Sequence, residues 1–159
     1  AWRPYLEALE WLADRSDREV IWLPFHRDQD GDLLDQLKAG GWVGESLLRR
    51  SRVVRPQTPA EAMALFRSAG LVVAMRLHAL ILAALSGSPV SAVSYDPKVQ
   101  ACATELGCTW VDLADHPLSS SELCSIWNDA LDHPPASTAL QAMAQATAVH
   151  RSLLAQLEP

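Results

Sequence analysis

Residues 70–99 read GLVVAMRLHALILAALSGSPVSAVSYDPKV. Arg76 and His78 interrupt one of the most apolar stretches of the chain. The run LVVAMRLHALILAAL holds 15 residues and two polar side chains. A membrane-spanning helix needs about 20 mostly apolar residues, so this is not one. The simpler reading is two elements with the polar pair at their joint. LVVAM is a β-rich run, and HALILAALSG has the length and composition of a buried helix closed by Gly87. The same alternation follows at once. PVSAVSY reads as a strand, and DPKVQACATELG as a helix with Asp96 as N-cap, Pro97 at the first helical position and Gly107 after the end.

Working outward, a helix is expected from about Pro4 to Ala13, with Leu6, Leu9 and Leu12 at helical spacing. EVIWLPF follows as a strand ended by Pro24. DQDGDLLDQLKAG reads as a loop and helix, SRVVRP as a strand, and TPAEAMALFRSAG as a helix with Thr58 as N-cap, Pro59 first and Glu61 third. TWVDL is a strand, and two helices separated by Pro134-Pro135 end the chain. Strands alternating with helices of about ten residues predict an α/β domain: a doubly wound, mostly parallel sheet with helices on both faces. A domain of this kind that opens on a helix, without Met, is expected to be a piece of a longer protein that has lost its first strand.

The chain of 159 residues is 49% hydrophobic, enough for one domain with a sizeable core. Its formal charge of −6 argues against a nucleic-acid partner, which needs a basic face. Three cysteines, Cys102, Cys108 and Cys124, fit neither a zinc site nor a disulfide framework, and they read as buried thiols of a reducing compartment. Gly40-Gly41-x-x-Gly44 ends a helix and opens none, so it is no dinucleotide fingerprint. DQDGD lacks the glycine position of a calcium loop. The tryptophans Trp2, Trp11, Trp22, Trp42, Trp110 and Trp127 read as core or interface residues. His116, His133 and His150 read as surface or packing residues.

In open parallel sheets, ligands bind outside the carboxyl ends of the strands. Arg76 and His78 follow the strand LVVA at that edge, and His78 opens a helix whose unpaired amides and positive dipole end favour an anion. Arg76 adds a planar fork suited to carboxylate or phosphate. One helix and one strand later, Lys98 sits in the first turn of a helix, where cations are unfavourable without an anion to meet. Asp96 reads first as a cap. His26, after WLPF, is a further candidate for the cleft. The cluster is cationic on an acidic protein.

The motifs M-R-L-H and S-Y-D-P-K, in the order GLVVAMRLHALI, SGSPV, SYDPKV and preceded by WLPFH and TPAEAMALF, closely resemble the polysaccharide pyruvyl transferase family. The bacterial cell-wall branch known as CsaB is the nearest in pattern. The resemblance covers most of residues 18–113. It implies two facing Rossmann-like domains in a GT-B-like arrangement, of which this chain is the C-terminal one, inactive alone. It implies transfer of a pyruvyl group from phosphoenolpyruvate to a sugar of a cell-wall or surface polysaccharide, as a ketal, with no cofactor and no metal. It places Arg76, His78 and Lys98 in the donor site. The chemistry then makes His78 the expected general acid, with Lys98 also catalytic and Arg76, Ser94 and Asp96 expected to bind substrate. A lipid-linked or polymeric glycan is the implied acceptor, the missing N-terminal domain the implied partner, and the cytoplasm, at the membrane where the acceptor is lipid-linked, the implied location; a homo-oligomer is compatible. His26 departs from the glutamine expected after LPF. Two rivals stand beside this reading: a GT-B glycosyltransferase binding a nucleotide sugar, and a non-catalytic anion-binding α/β module.

Overall fold

The structure, a computed structural model, describes residues 2–25, 32–114 and 118–145. In chain order the elements are α1 (Arg3–Ser16), β1 (Val20–Trp22), α2 (Leu33–Ala39), α3 (Glu45–Arg49), β2 (Ser51–Val53), α4 (Pro59–Ser68), β3 (Val72–Ala74), α5 (Leu77–Leu85), β4 (Val90–Ser94), α6 (Pro97–Leu106), β5 (Thr109–Asp112) and α7 (Ser120–Asp132). Residues 137–145 are also helical. The polar pair therefore lies at a joint: Arg76 is the N-cap of α5 and His78 its second residue.

Strands β3, β4 and β5 form a parallel sheet in that order, with Ala74 opposite Ala92 and Ser94 opposite Asp112. Successive side chains on a strand point to opposite faces, and here both faces are covered. Val72, Ala74, Val90 and Ala92 pack with Phe66 of α4, Leu80 and Ala83 of α5, and Val99 and Leu106 of α6. Val93 and Val111 pack on the other side with Tyr5 and Ala8 of α1 and Leu123 and Trp127 of α7. Burial on both faces explains why β4 is buried along its whole length and why its sequence shows little polar alternation.

The expected single, doubly wound sheet is not what the described residues form. Strands β1 and β2 make a separate parallel pair, Val20 opposite Ser51 and Trp22 opposite Val53. The strand expected over EVIWLPF stops after three residues. Pro24 has no amide to donate, and so short a strand offers few ladder bonds for extending a sheet. This pair carries its own cluster, with Leu6, Leu37 and Leu47 at its centre. It is tied to α1 by ion pairs of Arg50 with Asp14 and Asp17, and next to it Arg52 grips Glu19 through two bonds of 2.7 and 2.9 Å.

The punctuation signals behave as their chemistry requires. Thr58 accepts from the Glu61 amide at the start of α4, and Asp96 from the Lys98 amide at the start of α6. Gly107 closes α6 at φ +67°, in the left-handed region where a side chain is strained. Helix α3 was not expected; five residues are too few for a helical period to show. The tryptophans divide: Trp127 is buried in the core, whereas Trp11 and Trp42 are exposed and do not belong to it. Cys102 and Cys108 are buried and Cys124 is half-buried, all three as free thiols. Burial, with Cys102 beside it, pushes the Cys108 thiol up to about 11. His133 is exposed on the end of α7, against Asp129. His26, His116, His150 and most of the DQDGD loop lie outside the described residues.

Candidate active site

The site is built by two consecutive β–α joints. Continuing the β3–β4 register by two residues sets Arg76 level with Ser94, on neighbouring strands. Parallel strands lie about 4.8 Å apart, so the two joints open side by side at one carboxyl edge. Asp112 ends β5 opposite Ser94 and extends the same row.

The second joint is a rigid turn. Ser94 is buried; its hydroxyl donates to the Asp96 carbonyl at 2.9 Å, and its own carbonyl accepts from the Leu113 amide at 2.8 Å. The Asp96 carboxylate accepts from the Lys98 amide at 2.8 Å. Ser94 and Asp96 thus both hold the turn that starts α6, and the Lys98 side chain leaves its first turn exposed.

The first joint is built differently. Helices α4, α6 and α7 each have a side-chain cap, from Thr58, Asp96 and Ser119, whereas α1, α2 and α3 have none. Helix α5 has Arg76 at that position and no side-chain cap. Arginine carries donors only, so it cannot satisfy the amides of the first turn. The uncapped amides and the helix dipole leave this end suited to an anion. Instead of folding back, the Arg76 guanidinium crosses to the other joint. Its Nη1 donates to the Tyr95 hydroxyl at 2.9 Å, and its central carbon lies 5.9 Å from the ring centroid.

Of the residues singled out in the sequence, the structure links Arg76 to the SYDPK turn through Tyr95, and it links Ser94, Asp96 and Lys98 through the turn itself. His78 and the Lys98 ammonium are exposed, and among the described residues neither side chain has a hydrogen-bond or ion-pair partner. Tyr95 was missed in the sequence. Its signal was an amphipathic ring at a strand end, one residue before the cap, whose hydroxyl would seek a partner.

The features on the page are a cationic, amide-rich strand edge in an α/β chain, and they agree with a comparison against known families. A model of the polysaccharide pyruvyl transferase family matches residues 2–97. The chain belongs to that family. The match takes in both motifs as far as Pro97, so Arg76 and His78 fall inside it and Lys98 immediately follows. No curated protein matches the chain.

Two further features bear on the chemistry open to this pyruvyl transferase family member. Among the described residues no group of three or more His, Cys, Asp or Glu side chains is placed to hold a metal ion. A groove of about 560 Å³ lies between α1 and α7, lined by Glu7, Trp11 and Arg15 on one side and Ser121, Cys124 and Asn128 on the other. It is wide open, and none of Arg76, His78 and Lys98 lines it. The groove is therefore separate from the cationic strand edge. No helix among the described residues is long and apolar enough to cross a membrane.

Proposed function

We propose that the chain supplies the donor side of a pyruvyl transferase that moves a pyruvyl group from phosphoenolpyruvate to two hydroxyls of a cell-wall or surface glycan, as a ketal. The observation that carries this reading is the uncapped start of α5, with Arg76 at the cap position and His78 exposed in the first turn, beside the exposed Lys98 of the next joint. Phosphoenolpyruvate bears a phosphate and a carboxylate, and this edge offers amides and cations to match them.

In this mechanism Arg76 and Lys98 hold the donor's anionic groups, with Ser94 and Asp96 shaping the turn that presents Lys98. His78 gives a proton to the enol methylene, which becomes a methyl group and leaves positive charge at the neighbouring carbon. A sugar hydroxyl adds there and loses its proton. Phosphate departs with the electron pair of its carbon–oxygen bond, and the second hydroxyl closes the ring. Of the two hydroxyl protons, one restores His78 and the other leaves with phosphate. An imidazole can give a proton and take one back, as this step needs. The cations stabilise charge developing on the leaving phosphate. No step requires a metal. The edge is one wall of a cleft; a second Rossmann-like body facing it, in a GT-B-like arrangement, would complete the site and carry acceptor contacts.

The test is to incubate the full-length protein with ¹³C-labelled phosphoenolpyruvate and a cell-wall glycan acceptor. Equal amounts of inorganic phosphate and of a new ketal methyl signal are expected. Glycosyl transfer from a nucleotide sugar, without ketal formation, would overturn the proposal.

A further inference from the structure

We infer that Tyr95 is a positioning residue of the donor site: it fixes the Arg76 guanidinium and joins the β3–α5 and β4–α6 joints into one unit. The inference rests on the donor-site reading given above.

Three observations carry it. The backbone on both sides of Tyr95 is pinned, by the β4 ladder through Ser94 and by the Asp96 cap. Tyr95 is nevertheless 50% exposed, so packing does not account for its place. Its hydroxyl meets Arg76 Nη1 at 2.9 Å. A long arginine side chain at a strand end has many rotamers, and an anion site needs it in one. The Tyr95 hydroxyl is a neutral acceptor, so this bond holds the guanidinium without adding a negative charge beside it.

The geometry also says which part of the tyrosine matters. With Nη1 at 2.9 Å from the hydroxyl and the guanidinium carbon 5.9 Å from the ring centroid, the cation sits at the hydroxyl end of the ring and not over its middle. Attraction to the π face is near the limit of its range there. The hydrogen bond carries the contact, so removing one oxygen atom should remove most of the effect.

The experiment uses the full-length protein and the variants Tyr95→Phe, Tyr95→Ala, Arg76→Lys and Tyr95→Phe with Arg76→Lys. Thermal unfolding is followed alongside steady-state kinetics with phosphoenolpyruvate and acceptor varied in turn. Tyr95→Phe should raise the KM for phosphoenolpyruvate about three- to ten-fold, the size of one hydrogen bond, with the acceptor KM and the unfolding midpoint unchanged. Tyr95→Ala should be little worse. In the Arg76→Lys background, where the guanidinium is already gone, Tyr95→Phe should add little. Wild-type kinetics in Tyr95→Phe, or an equal effect of that change with and without Arg76, would overturn the role while leaving the pyruvyl transfer reading in place. Absence of phosphoenolpyruvate-dependent transfer by the unmodified protein would overturn that reading and this role with it.

Discussion

Replacing Asp96 separates a cap from a ligand. Its carboxylate accepts one bond, from the Lys98 amide at 2.8 Å. The Val99 and Gln100 amides go to the Asp96 carbonyl, as does the Ser94 hydroxyl, and these survive any side-chain change. Asp96→Ala therefore loses a single capping bond at the start of α6. Such a loss costs about 1 kcal/mol, within a range of about 0.5–2 kcal/mol. For a chain of this size that lowers the unfolding midpoint by about 2–4 °C. Asn caps as well as Asp, so Asp96→Asn should stay within about 0.5 kcal/mol of the parent. Because Lys98 sits in the turn that the cap organises, Asp96→Ala should also raise the phosphoenolpyruvate requirement, and Asp96→Asn should not. Thermal or urea unfolding and donor-varied kinetics on both variants give the answer. If Asn destabilises as much as Ala, the bond counted here is not what Asp96 contributes. If Asn leaves stability intact but damages donor use, the carboxylate itself acts on substrate.

Two further outcomes follow from the thiols and the histidine. Burial, which disfavours the thiolate, pushes the Cys108 thiol up to about 11, against about 8.5 for a free thiol. The folded value is the raised one, so its stabilisation is complete below about pH 8.5 and is lost as pH rises toward 11. Cys108→Ala should flatten the decline of unfolding free energy across that window, and an unchanged slope would contradict the assignment. His78→Gln in the full-length protein should cut turnover about 10²- to 10⁴-fold with a smaller effect on donor affinity, since glutamine keeps a hydrogen-bond donor but no titrating proton. A general acid must carry its proton to act, so a pH–rate profile that keeps the same alkaline limb in the variant would remove His78 from the acid role.

The joint between LVVA and HALILAAL was legible because two costly polar residues have few places to go in an apolar run, and a strand–helix boundary is one. Thr58-Pro59 and Asp96-Pro97 were legible because capping and proline chemistry act within four residues. The separation of β1–β2 from β3–β4–β5 was not, because sheet continuity depends on which strands meet in space and local pattern does not encode it. Helix α3 escaped for want of length. The Arg76–Tyr95 contact escaped for a different reason: the residues lie 19 positions apart, and only the parallel register of β3 and β4 sets their joints side by side. The cap read first for Asp96 is present, and Ser94 shares in holding that turn, because both bonds act within four residues.

The most direct measurement is steady-state kinetics of Lys98→Ala in the full-length protein, with phosphoenolpyruvate and glycan acceptor varied in turn. Loss of a charge-assisted bond worth about 1.5–3 kcal/mol should raise the donor requirement by about ten-fold or more and leave the acceptor requirement nearly unchanged. A rise in the acceptor KM with the donor KM fixed would contradict the assignment of this cationic edge to phosphoenolpyruvate.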